Sequence, residues 1–506
     1  MSSTFGLYDP SREHSSCGVG FLTRKDGVPT HDVLDRGHRA LCAIPHRGGM
    51  SSEGVGDGAG VNIDLSVEFF SAVTGLDLEE RRFGVGNFFL PENADQGQTA
   101  RDIVTDALAA EGLVVAAERE VPVNEAAVRP AALAYQLPIL QWVFTVPATM
   151  TASDADRAAN SALLRIEQEA YSRPGLKGLY PLSLSTRTQV LKGRLNADEV
   201  IPWFADLTDC RHSVRTMYFH TRFSTNTEPH PSMAQPFRLM AHNGELNTDR
   251  KNRISDEAAA ASRQRHIIRP PGQSDSSRLD QTLQSRVFDD RLDIVEAVVS
   301  LMPPAWENDR SLPAPVRDML EYFSLYEEKN DGPAALIFND GDVVGARLDR
   351  LGLRPLRSIE TADYLMVSSE AGQLDADPAE VLHRGRIEAG GILSLDHRTG
   401  EIRRTRETLE ELASRRDYAS LLADARTDIR DIPVTGMQRG TTTLGYEGDL
   451  TLAGRFVAYS MNQESFRFMM DPMLATGAER ISAMGYGNAI NALSDTEGGV
   501  AKYFSQ

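Results

Sequence analysis

A short apolar run carrying two glycines, Cys17-Gly18-Val19-Gly20-Phe21, constrains this chain more than any other feature. From Cys17 to Thr23 the run reads as a buried strand, closed by the turn-like Lys25-Asp26-Gly27. Glycines at 18 and 20 leave no Cβ in the way of a second backbone or a ligand. A thiol at the head of such a strand is either one more small buried side chain, as free cysteines commonly are, or a nucleophile. Two downstream runs bear on the choice: Arg222-Phe223-Ser224-Thr225-Asn226 and His242-Asn243-Gly244-Glu245.

A thiol serves amide hydrolysis best with a base beside it. An N-terminal cysteine carries its own base, an α-amino group of reference pKa roughly 7.7–8.0. For Cys17 that requires removal of residues 1–16. The Asn243-Gly244 pair is a common turn signal; read as chemistry, the Asn243 amide and the Gly244 N–H are the two donors of an oxyanion hole. Arg222 is either an ordinary strand arginine or a bidentate partner for an amino acid's α-carboxylate, with Asp275 of Ser274-Asp275-Ser276 taking the α-ammonium. Spacing alone does not bring the two together. Gly54 to Gly60 lacks the Lys-Ser/Thr of a nucleotide loop and reads as a plain loop. Leu348 to Pro355 reads as a structural turn lining a pocket, and His46 and Arg47 as surface residues unless the preceding helix ends at Cys17.

Helical spacing of Val33, Leu34, Leu41 and Ile44 predicts a helix over His31 to Ile44, stopped by Pro45. A second is expected from the cap candidate Ser153, burying Leu163, Leu164 and Ile166. Arg215 to Ser224 alternates as a strand, with Arg222 opposite Met217, Phe219 and Phe223. Helices follow at Leu292 to Leu301 and Val316 to Tyr326. Ala334 to Phe338 and Val343 to Leu348 flank Asn339-Asp340-Gly341 as a hairpin, Tyr364 to Ser368 and Gly391 to Leu395 add strands, and Arg406 to Ala425 adds a helix. Strands and helices are mixed without regular alternation, which predicts an α+β body. A boundary is placed in Thr427 to Tyr446, giving a propeptide 1–16, a main domain 17–430, and a short, incomplete α/β segment 431–506.

A length of 506 residues suits more than one domain, and 25% charged with 41% hydrophobic residues is a globular composition. The net charge of −19, with no Lys/Arg-rich run, argues against nucleic acid as a partner. No window has the roughly 18 apolar residues of a membrane helix, and residues 1–16 lack a secretory signal's apolar stretch. The expected location is the cytoplasm. Three cysteines, Cys17, Cys42 and Cys210, without CxxC spacing, point to neither a disulfide framework nor a metal site.

Taken together, Leu7-Tyr8-Asp9, His46-Arg47-Gly48, Gly56-Asp57-Gly58, Arg222 to Thr227, Ala234 to Arg238, Ala241 to Thr248, Ser274-Asp275-Ser276, Pro303 to Trp306 and Asp349 to Pro355 resemble the glutaminase portion of the glutamate synthase large subunit. That portion is a class II glutamine amidotransferase of the N-terminal-nucleophile hydrolase type. The resemblance implies a four-layer αββα sandwich and a catalytic set: Cys17 as nucleophile, its α-amine as base, Asn243 and Gly244 as oxyanion donors, and Arg47 ordering the site. Arg222 and Asp275 would clamp L-glutamine, which passes through a γ-glutamyl thioester to ammonia and glutamate.

Met461 to Gln506 resembles the opening of the family's central domain. The remaining parts, an FMN-binding barrel with an iron–sulfur cluster and a C-terminal β-helix, have no counterpart here, so no cofactor is expected in this chain. Transfer of ammonia to 2-oxoglutarate would need a synthase domain or subunit as partner. The competing expectations are a non-catalytic glutamine- or partner-binding module and an inactive truncated fragment exposing Phe466, Phe468, Met469 and Met470.

Overall fold

In the computed structural model, residues 17–222, 233–246, 250–263, 267, 273–427, 429–431, 453–454, 456, 461, 463 and 465–478 are described. The chain divides into two units, Met1–Asp424 and Ala425–Gln506. Within the second, a π-helical turn Ser465–Met470 runs into a short helix Asp471–Thr476, and Phe468, Met469 and Leu474 are exposed. The expected propeptide, residues 223–232 and most of 432–506 lie outside the described residues.

The first unit is built on two facing antiparallel sheets. One has seven strands in the order β14 (His383–Arg386), β12 (Arg357–Glu360), β13 (Tyr364–Ser368), β1 (Gly18–Arg24), β8 (Thr216–Thr221), β2 (Ala59–Asp64) and β7 (Thr188–Gly193). The other has five: β16 (Glu401–Arg404), β15 (Ile392–Asp396), β11 (Val343–Leu348), β10 (Ala334–Asn339) and β9 (Met240–Gly244). Val19, Phe21, Tyr218 and Val367 of the first sheet share one buried cluster with Ala241, Ile337, Val344 and Leu393 of the second. Because successive strand residues point to opposite faces, Leu22, Met217 and Phe219 go the other way. They pack there beneath α1 (Asp32–Cys42) and the short helices α4 (Pro130–Leu133) and α6 (Val200–Trp203).

On the outer face of the second sheet, Met240, Leu336 and Phe338 pack with α8 (Asp275–Gln284), α9 (Ile294–Leu301), α10 (Ala314–Ser324) and α11 (Thr405–Ser414). The layers therefore run helix, sheet, sheet, helix, as expected. Strands buried on both faces lose the polar alternation of a one-sided sheet, and β1 is buried at six of its seven positions.

A third sheet, β4 (Val114–Glu120), β5 (Leu140–Thr145), β3 (Phe83–Phe89) and β6 (Tyr180–Ser185), was not legible in the sequence. It lies between α2 (Val67–Thr74) on one face and α3 (Ala94–Ala110) with α5 (Ala152–Ser172) on the other.

Several boundaries differ from expectation for local reasons. The α5 cap is Thr151, whose Oγ1 accepts the Asp154 N–H at 3.1 Å, so Ser153 falls inside the first turn. The helix expected over Arg406 to Ala425 is two, α11 and α12 (Tyr418–Ala425), because Asp417 accepts the Ser420 N–H at 3.1 Å and starts a new segment. The hairpin at Asn339-Asp340-Gly341 forms as expected, with Gly341 at φ +91°. Among the described residues no helix is long and apolar enough to cross a membrane.

Candidate active site

Cys17 immediately precedes β1, at the end where Gly18 pairs with Thr221 of β8. The Gly18 N–H donates to Thr221 Oγ1 (3.0 Å) and the Val19 N–H to Ser369 Oγ (3.1 Å), which fixes the strand from both sides. A Cβ on Gly18 would sit 2.5 Å from Ile44 Cδ1 and 2.8 Å from Thr221 Oγ1, so this position requires glycine. Cys17 is half-buried. Burial raises its thiol pKa, and the positive charges of Arg222, Arg354 and Arg47 only partly offset that. A thiol held in its neutral form needs a neighbouring base to become a nucleophile.

Arg47 lies in the single turn Pro45–Arg47 that follows α1. Its Cβ is 3.3 Å from where a Gly18 side chain would start, so the helix end does face Cys17. Arg47 Nε donates to Glu370 Oε2 at 2.6 Å, and His46 Nε2 lies 3.0 Å from both Glu370 oxygens. Burial would raise the Glu370 pKa, but these bonds outweigh it and hold the carboxyl below its ordinary range. Glu370 was not anticipated: it stands 323 residues from Arg47 in a segment without a motif.

Asn243 and Gly244 close β9, the edge strand of the five-stranded sheet. The Asn243 Nδ2 donates to the Cys17 carbonyl oxygen at 2.7 Å, joining the ends of the two facing sheets. Gly244 has φ +142°, and a Cβ there would lie 1.7 Å from the Pro333 carbonyl oxygen, so no other residue fits. The run expected as either a turn or an oxyanion hole is thus a strand end placed against the thiol residue.

Arg222 departs from the expected strand face. β8 ends at Thr221, and Arg222 turns out of it with φ +88°, its N–H donating to the Gly58 carbonyl (2.8 Å) and its Nε 3.8 Å from Asp57 Oδ2. The glycine-rich segment before β2 is therefore no nucleotide loop; it seats this arginine. Gly58 is at φ +146°, where a Cβ would meet that of Ala234 at 3.0 Å.

Asp275 is the first residue of α8, after its cap Ser274. Its side chain is 42% exposed, with Arg253 3.7 Å away. The next residue, Ser276, hydrogen-bonds through Oγ to His242 Nε2, the residue before Asn243. Cys17, Arg47, Arg222, Asn243 and Gly244 thus gather at one end of the sandwich, and Asp275 is tied to that end through Ser276.

The turn after β11 does line a pocket: Asp349, Arg350 and Leu351 face Met302, Pro303 and Asn330 around a cavity of about 130 Å³. Arg354, in the same turn, contributes positive charge at Cys17, a role that no local pattern signalled. Among the described residues no group of three or more His, Cys, Asp or Glu converges in a way that would hold a metal ion.

Cys17 thus heads a central strand of a body whose two sheets lie face to face. Residues 17–421 match the Glutamine amidotransferases class-II, and the chain belongs to that family. Residues 454–506 match the glutamate synthase central domain.

Relatives include the glutamate synthase [NADPH] large chains of Azospirillum brasilense, 31% identical over 522 residues, and of Bacillus subtilis, 30% identical over 521; each alignment takes in 100% of this chain and 34% of the relative. The chloroplastic ferredoxin-dependent glutamate synthase of rice is 30% identical over 98% of this chain and 31% of its own. The chain thus spans about a third of the length of these relatives. Among solved structures, the allosteric regulatory enzyme of purine biosynthesis aligns over 77% of this chain and 48% of its own, at 13% identity and a TM-score of 0.33.

Proposed function

We propose that this chain hydrolyses L-glutamine with Cys17 as an N-terminal nucleophile, supplying ammonia for glutamate synthesis. The supporting observation is the 2.7 Å hydrogen bond from the Asn243 amide to the Cys17 carbonyl oxygen, which is in keeping with a side-chain donor near the thiol residue. In the 506-residue chain the Cys17 nitrogen is an amide and no base. Cleavage of the Ser16–Cys17 bond would convert it to an amine suited to take the thiol proton near neutral pH. That the family match begins at residue 17 supports this reading.

In the proposed reaction Arg222 takes the glutamine α-carboxylate and Asp275 its α-ammonium. The Cys17 sulfur adds to the side-chain carboxamide carbon while its proton passes to the α-amine. Negative charge on the former carbonyl oxygen meets Asn243 Nδ2 and the Gly244 N–H. The C–N bond then breaks, the α-ammonium protonates the departing nitrogen, and ammonia leaves a γ-glutamyl thioester. Water, losing a proton to the same amine, cleaves the thioester to glutamate and restores the thiol. Arg47, held by Glu370, keeps the strand head in place.

The ammonia acceptor, 2-oxoglutarate, is assigned to a synthase site outside this sequence, together with the FMN and iron–sulfur cluster that the family resemblance implies. No step above passes through those groups. The test is ammonia release from L-glutamine by the purified protein: turnover that vanishes in Cys17→Ala is expected, and turnover that survives it removes the mechanism.

A further inference from the structure

The side chain of His242 is a buried polar group beside the oxyanion strand that the proposed chemistry leaves without a task. Among the described residues no strand pairs with the outer edge of β9. At His242 that edge is held instead by side chains. Gln235 Oε1 accepts the His242 N–H at 2.8 Å, and His220 Nε2 meets the His242 carbonyl oxygen at 3.0 Å. On its other edge the residue pairs with Leu336 of β10. From a backbone held in this way the imidazole reaches Ser276 Oγ through Nε2. Burial lowers the His242 pKa to about 4, so the ring is neutral at working pH and the link is a hydrogen bond that pH changes near neutrality leave intact.

This bond connects two parts of the site that bind opposite ends of a substrate. Asn243, next to His242, addresses the carboxamide; Asp275, next to Ser276, addresses the α-ammonium. Resting on the reading above, we propose that His242 and Ser276 are positioning residues that set the separation between clamp and oxyanion donor, and so select an amino acid with glutamine's two methylenes over one with asparagine's single methylene. One methylene alters the chain by roughly 1.5 Å, and a 1 Å misplacement can cost on the order of 100-fold in rate. Discrimination of one methylene is typically about 10- to 200-fold. Ser276 suits substitution because the α8 cap is Ser274, whose Oγ accepts the Ser277 N–H at 3.2 Å, and the helix start does not depend on its neighbour.

The experiment measures calorimetric affinities of the Cys17→Ala protein for L-glutamine and L-asparagine, with and without Ser276→Ala or Ser276→Thr. The proposal expects glutamine to be preferred, the preference to narrow about tenfold in Ser276→Ala, and Ser276→Thr, which keeps a hydroxyl, to recover most of it. An unchanged preference in Ser276→Ala, an equal loss for both amino acids, or no preference at the outset overturns it. Ammonia release by the protein with Cys17 intact, measured separately, reports on the hydrolytic reading: turnover with an unmoved preference sinks the ruler alone, and a narrowed preference without turnover sinks the hydrolysis alone.

Discussion

Asn243 joins the two sheets, since its side-chain amide spans from β9 to the residue that heads β1, and the proposed reaction makes it an oxyanion donor. Removing one oxyanion donor typically costs on the order of 100- to 1000-fold in kcat. Asn243→Ala should therefore retain glutamine binding through Arg222 and Asp275 while kcat falls by about that factor; steady-state kinetics with a KM changed less than about threefold would show it. A variant that keeps near-normal kcat would remove Asn243 from the reaction. Asn243 was legible because Asn-Gly is a local signal. Glu370, Asp57 and Arg354 were not, because each acts through a partner that only folding brings near. Arg222 was expected on a strand face, and no local pattern announces the φ of +88° that turns it toward Asp57.

Among the elements, the helical layer over the five-stranded sheet is held by buried ion pairs as well as by apolar packing. Arg286, one turn beyond α8, bonds Glu327 through both Nε and Nη2, the latter at 3.0 Å, and both residues are buried. Removing one partner of a buried pair leaves a charge without compensation and costs about 3–5 kcal/mol, whereas replacing both is often near neutral. Arg286→Met should lower the urea midpoint strongly and Arg286→Met with Glu327→Met should recover most of it. Equal losses in the two would show that an uncompensated Glu327 is not the cause of the loss. Periodicity located α10 because it buries one face, and the β10–β11 hairpin was located by its turn signal. It missed β3, whose Phe83–Phe89 is buried at every position and so shows no alternation.

For the molecule as a whole, buried neutral histidines tie stability to pH. His212 stacks on Phe69 at 4.3 Å, its Nδ1 lies 3.0 Å from the Asp206 carbonyl oxygen, and its Nε2 faces the Gln189 amide at 3.4 Å. Burial lowers its pKa to about 4. Since the folded value lies below the unfolded one of roughly 6.5, the stability it contributes is complete above pH 6.5 and is lost as pH falls toward 4. His212→Gln should thus be most destabilising at pH 7–8, and the difference from the unsubstituted protein, measured by urea unfolding, should shrink steadily between pH 6.5 and 4.5. A difference independent of pH would mean that His212 titrates normally. Asp64, buried and raised to about 6, acts in the opposite sense, its contribution present below about pH 4 and lost as pH rises toward 6.

The α+β class was legible from the mixed strands and helices and the sandwich from the family resemblance, while the third sheet, added between β2 and β8 in the chain, left no comparable mark. The proposed hydrolysis requires a free amine at Cys17, and the mass and N-terminal sequence of the glutamine-consuming protein test this most directly. A mature chain beginning at Cys17 is predicted; an active chain still carrying Met1 to Ser16 would contradict it.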